Sequence, residues 1–99
     1  MIAMDGIIRF KFPETANYDD VEGDVALAVF AAECDFGRPR VRIEAGYDVD
    51  AEGRRCVVRV GGDAGEAAAR IIAGLAAVRF GEDGYEVERQ PLARKVGAP

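Results

Sequence analysis

The chain has no histidine, no serine and no tryptophan, and its single threonine is Thr15. Without histidine, no side chain has an ordinary pKa between pH 5 and 8, so the usual physiological-pH base is missing. Without serine, neither a Ser-His-Asp triad nor a nucleophile elbow can be drawn. Cysteine is scarce as well: Cys34 and Cys56 lie far apart and outside any Cys-x-x-Cys pattern. That excludes a disulfide scaffold, which at this length carries four or more, and it excludes a zinc site of the ordinary kinds. No apolar run approaches the roughly 20 residues needed to span a bilayer. An acid, Asp5, stands in the N-terminal stretch where a secretory leader wants a base. A reducing cytoplasm is the expected location.

Lysine is nearly absent too, two residues against eleven arginines, and the net charge is −5. An acidic chain has no general attraction for phosphate backbones. The expectation is therefore no nucleic acid, no membrane, no cofactor, no metal and no catalytic residue set. A cysteine nucleophile would need an activating neighbour, and Cys56 reads as a small core hydrophobe among Val58 and Val60.

What is present is a globular pattern. The chain has 99 residues, 49% hydrophobic and 31% charged, enough for one modest core. Residues 1–90 read as a single α+β domain and residues 91–99 as a tail. Ile8, Phe10 and Phe12 alternate with Ile7, Arg9 and Lys11, the period of a half-buried strand ended by Pro13. A helix is expected over 18–36, with Asn17, Asp19 and Asp20 offering caps, acids in its opening turns, and Val21, Val25, Ala28, Val29, Ala32 and Phe36 as its core stripe. Gly37 and Pro39 end it. Alternation over 41–49 predicts a second strand with Val41, Ile43, Ala45, Tyr47 and Val49 inward and Arg42 and Glu44 among its outward residues. A turn at 50–53 leads to a third strand at 55–60. Asp63 and Glu66 have capping-box spacing for a second helix that runs to Phe80. Its inner stripe is Ala64, Ala68, Ile71, Ile72, Leu75 and Val78. A short fourth strand around Tyr85 and Val87 is closed by Pro91.

This order, β-α-β-β-α-β, predicts a ferredoxin-like two-layer sandwich: a four-stranded antiparallel sheet with two helices on one face. Many unrelated functions share that architecture, so it licenses no activity.

Two motifs suggest ligands and lose on inspection. Asp48, Asp50, Glu52 and Gly53 follow the first half of a calcium loop, but Arg59 stands where the bidentate Glu belongs. Gly61-Gly62-Asp63-Ala64-Gly65 sits between a strand and a helix, yet lacks the Lys-Ser/Thr pair of a P-loop. Small ligands could still meet the loops that start the helices, as a sensor or a carboxylate-based enzyme would require.

The feature that breaks the one-sided pattern is on the first helix. Leu27, Phe30 and Cys34, with Ala31 beside them, lie opposite the core stripe, with Asp24, Asp35 and Glu33 at the borders. Three covers are open to this stripe: the tail through Leu92 and Val96, a second copy or another protein, or a rolled helix that makes the stripe core. The expected function is a non-enzymatic protein-protein interaction module, of the regulatory, adaptor or immunity/antitoxin kind, bound to a protein partner or to itself. Its interface is expected at Leu27, Phe30, Ala31 and Cys34.

Overall fold

Alternating Ile8, Phe10 and Phe12 make the first strand one-sided, and a computed structural model that describes residues 6–91 shows what that side meets. Strand β1 is Gly6–Lys11, helix α1 Tyr18–Phe36, helix α2 Arg38–Glu44, strand β2 Ala45–Asp50, strand β3 Arg55–Val60, helix α3 Asp63–Phe80 and strand β4 Glu86–Pro91. The four strands form one antiparallel sheet in the order β2-β3-β1-β4. The architecture is α+β, a two-layer sandwich of one sheet and three helices.

The core lies between the sheet and the helices. Ile8, Phe10, Phe12, Cys56, Val58 and Val60 from the strands meet Val21, Val25 and Ala28 of α1 and Ala69, Ile72 and Ala76 of α3. The aromatic end is held by Phe12, whose ring stacks with Phe10 at 6.4 Å and meets Tyr18 edge-on at 6.1 Å. Burial of such side chains is worth roughly 1.5–3 kcal/mol each, which makes this cluster the main stabilising element. Arg79, near the end of α3, pairs with Asp20 at 3.4 Å and Asp24 at 2.6 Å near the start of α1, so the two long helices run antiparallel.

The sequence reading is corrected at residues 38–44. The expected second strand over 41–49 exists only from Ala45 onward; its first part is helix α2. Pro39 does not merely stop α1. It occupies the first turn of α2, where its missing N–H has no partner to lose. Arg40 and Glu44, four residues apart, pair across that helix at 2.8 Å. Val41 is buried in a second small cluster with Ala32, Ala64 and Ala68. Ile43, expected inward, is 83% exposed, and Arg42 and Glu44 are not on the open face of the sheet.

Helix α3 is also rolled from the expected stripe. Its buried residues are Ala64, Gly65, Ala68, Ala69, Ile72 and Ala76, while Ile71 and Leu75 are half-buried and Val78 is 86% exposed. Small residues let α3 approach the sheet and α1 closely, and the larger Val78 is left outside. The tail expected at 91–99, and with it the idea that Leu92 and Val96 cover α1, lies outside the described residues except for the end of β4 at Pro91.

Candidate interaction site

Helix α1 begins where the Asn17 side chain accepts hydrogen bonds from the N–H groups of Asp19 at 2.9 Å and Asp20 at 3.4 Å. It ends at Gly37, whose φ of +89° no side-chain-bearing residue adopts readily. Between these caps Val21, Val25, Ala28 and Ala32 are buried. Leu27, Phe30 and Cys34 each follow a buried residue by two positions, a turn of about 200° that carries them to the far side of the helix. Leu27 is 53% exposed and Phe30 59% exposed, and the Cys34 thiol is free and exposed. Ala31 is half-buried beside them. The stripe is therefore surface, and the rolled-helix alternative does not hold.

The acids expected at the borders of this face are partly engaged. Arg79 takes both carboxylate oxygens of Asp24, at 2.6 and 3.0 Å. Glu33 faces Arg38 at 3.7 Å. What is left exposed along the middle of the face is carbon and sulfur.

The second cysteine contrasts with Cys34. Cys56 is fully buried, and that burial, with a smaller contribution from Asp48, pushes its thiol up to about 11. It stays protonated and inert at neutral pH.

The ligand-like motifs take structural roles. At the glycine-rich turn, the Ala64 N–H donates to the Glu44 carboxylate at 2.9 Å, and the Gly61 N–H donates to the Glu44 carbonyl at 2.7 Å. A Cβ on Gly65 would strike that carbonyl oxygen, and a Cβ on Gly62 would strike the carboxylate. The anion seat at the start of α3 is thus filled by a carboxylate of the chain itself. Arg40 and the Ala64 N–H hold Glu44 below the usual carboxylate range. The expected Asp63/Glu66 capping box is not formed: Gly62 is the cap residue and no side chain of that turn caps the helix. Glu66 instead makes a two-pronged pair with Arg89 of β4, at 2.7 and 2.8 Å, and Arg89 draws its pKa down. In the calcium-like turn, Asp50 accepts from the Gly53 N–H at 3.1 Å and faces Arg55 at 3.6 Å. Among the described residues no group of three or more acids or cysteines is placed to hold a metal ion.

The sheet face away from the helices is the other continuous surface. Its register sets three rows across the strands β2-β3-β1-β4: Gly46, Arg59, Ile7, Gln90; then Asp48, Val57, Arg9, Glu88; then Asp50, Arg55, Lys11, Glu86. Cations stand on the inner strands and acids on the edges. An open trough of about 520 Å³ runs past Arg9, Lys11, Arg55, Glu86 and Glu88. No described helix is long and apolar enough to cross a membrane.

Four exposed apolar side chains among the described residues were not expected at the surface: Ile43, Tyr47, Val78 and Val87. The Pro39 position and the Arg40–Glu44 spacing are the signals that place Ile43 on a helix. Comparison with family models, with curated proteins and with solved structures finds no match to this chain.

Proposed function

We propose that this chain is a non-enzymatic protein-protein interaction module that receives a protein partner on the outer face of α1. The observation that carries the reading is the exposure of Leu27 and Phe30 on one side of a helix whose other side is already packed. A helix that serves only its own core presents charged or small residues outward. Covering the exposed half of Leu27 and of Phe30 is worth roughly 1–1.5 kcal/mol each, a contribution to docking that their own core packing does not supply. Interface anchors are typically large side chains of this kind set among near-neutral neighbours, and Ala31 and Ala26 supply such neighbours.

The chemistry of the site supports binding over catalysis. The one buried thiol is held protonated, Asn17 accepts from the Asp19 and Asp20 N–H groups at the start of α1, and Glu44 accepts from the Ala64 N–H at the start of α3. A small-ligand sensor with its ligand at those loops would have to displace these side chains. We further read the fold as ferredoxin-like with one added helix. The strand order β2-β3-β1-β4 and the packing of α1 and α3 on one face support this, and α2 is the insertion between the first helix and the second strand.

Affinity capture from a lysate of the source cells, wild type beside Phe30→Asp, tests the reading once the captured protein is purified and recombined with the chain. Retention by wild type and loss by Phe30→Asp, with equal melting temperatures, supports it. Equal retention by both overturns it.

A further inference from the structure

Strand β2 stands at one edge of the sheet, and the register decides which of its backbone groups point outward. The Gly61 N–H donates to the Glu44 carbonyl at 2.7 Å, and the Phe12 N–H donates to the Arg54 carbonyl at 2.9 Å. Bonded pairs alternate with unbonded ones along an antiparallel ladder. Carried along the two registers, both bonds give the same answer. Gly46, Asp48 and Asp50 turn their N–H and C=O groups to β3, and Ala45, Tyr47 and Val49 turn theirs out of the sheet. The Ala45 N–H is taken by the Val41 carbonyl. Such a row of outward groups is a template for another strand unless Lys, Pro or a bulge blunts it. On β4 the outward residues include Pro91, which has no N–H, and Arg89, which Glu66 holds. Strand β2 has neither Lys nor Pro.

A second copy fits this edge in one register. A two-fold axis perpendicular to the sheet joins two β2 strands antiparallel, helix layer beside helix layer, with one residue opposite its own copy. An axis at Asp48, Val49 or Asp50 lays acid on acid. An axis at Ala45 or Gly46 sets much of each strand against the partner's α2. The axis at Tyr47 avoids both. Tyr47 then exchanges both backbone hydrogen bonds with its own copy, and the Val49 N–H donates to the partner's Ala45 carbonyl. Asp50 falls opposite the end of the partner's α2, where the Glu44 carboxylate is turned away to Arg40 and Ala64.

Charge selects the same axis. The Arg59 guanidinium lies over Gly46, so that a Cβ there would meet its Nη2 at 3.3 Å. Among the described residues neither Arg59 nor Asp48 has an ion pair. With the axis at Tyr47, the partner's Asp48 stands opposite Gly46, in an unbonded pair whose Cα atoms come within about 4.5 Å. Its carboxylate enters the hollow of about 310 Å³ between Gly46, Val57 and Arg59, within reach of the guanidinium. Symmetry makes that ion pair twice. On the helix side Tyr47, 49% exposed, meets its own copy, and Ala45 meets the partner's Val49.

We propose that this chain forms a two-fold dimer by joining its β2 edges antiparallel about Tyr47, with Arg59 of each copy paired to the partner's Asp48. The two sheets become one. The joint is a strand of six residues, so the dimer is weak. It uses none of Leu27, Phe30 and Cys34.

Sedimentation equilibrium of the full chain over a wide concentration range tests it. The expected result is a concentration-dependent dimer and nothing larger, because a two-fold joint closes on itself. Asp48→Lys or Arg59→Glu alone, both at exposed positions, sets like charges together and is expected to weaken the dimer at least about tenfold with an unchanged melting temperature. The double variant, Asp48→Lys with Arg59→Glu, rebuilds the pair with its signs exchanged and is expected to restore the wild-type dimer to within about threefold. Phe30→Asp is expected to leave it intact. A monomer at every concentration overturns the proposal. So does a dimer that neither single variant weakens, one that the double variant fails to restore, or one that Phe30→Asp dissolves.

Discussion

A 2.9 Å hydrogen bond joins the Ala64 N–H to the Glu44 carboxylate across 20 residues of sequence. It ties the end of α2 to the start of α3, and Glu44 is at the same time the acceptor for Arg40 at 2.8 Å. Helix α3 is therefore capped by a side chain from another helix, which no local capping motif would reveal.

The glycines of that turn are expected to be intolerant. In an ordinary helix, Gly→Ala stabilises by about 1 kcal/mol. At Gly65 the new methyl would press on the Glu44 carbonyl, so Gly65→Ala is expected to destabilise by about 1–3 kcal/mol. Gly74→Ala, on the same helix with open space around it, is expected to have the usual stabilising sign. Urea melts of the two variants show whether the signs are opposite.

Acid is expected to weaken the fold through two carboxylates. Arg40 and the Ala64 N–H depress Glu44, and Arg89 depresses Glu66, both from an ordinary 4.5. A group depressed in the folded state contributes stability that is present above its unfolded value and lost as pH falls through its folded one. The melting temperature should hold from neutral pH down to about 5 and fall below about 4.5. Glu66→Gln should flatten that fall, measured by thermal melts across the acid range, and added salt should shrink the difference because the pair is partly exposed.

The two thiols are expected to separate cleanly. Cys34 is exposed and Cys56 is buried with its thiol pushed up to about 11. A thiol reagent at neutral pH should titrate one cysteine in the native protein and two in denaturant. The raised thiol also sets an alkaline limit: its stabilisation is complete below the unfolded value of 9.0 and is lost as pH rises toward about 11. Cys56→Ala should remove that part of the alkaline slope.

Much of the fold is legible in the chain, and the exceptions have physical causes. Alternation at Ile8, Phe10 and Phe12 and at Cys56, Val58 and Val60 marks β1 and β3 correctly, because each has one buried and one open face. Asn17, Gly37 and Gly81 mark the helix ends where they stand. Residues 41–44 mislead because Val41 and Ile43 alternate like a strand while Pro39 and the Arg40–Glu44 pair favour a helix turn; the buried Val41 wedge between α1 and α3 decides it. Val78 misleads because an alanine-rich helix has several equivalent small faces, and contact with the sheet selects the one through Ala69, Ile72 and Ala76. Leu27, Phe30, Ala31 and Cys34 were legible as a stripe opposite the core, since two-residue offsets from Val25, Ala28 and Ala32 follow from helix geometry alone. On the open sheet, alternation places Arg9, Lys11, Val57 and Arg59 outward on the inner strands with Glu86 and Glu88 beside them, whereas the residues of β2 that flank them are not legible, because they depend on where β2 begins.

The most direct test of the docking face is covalent. A photoreactive maleimide is placed on Cys34, the one exposed thiol, in the presence of the captured and purified partner. A control carries the same probe on Asp83→Cys in a Cys34→Ser background, at the exposed loop after α3. The account predicts an adduct to the partner from Cys34, none from position 83, and loss of the Cys34 adduct in Phe30→Asp. A partner that binds with full affinity and cross-links only from position 83 would contradict it.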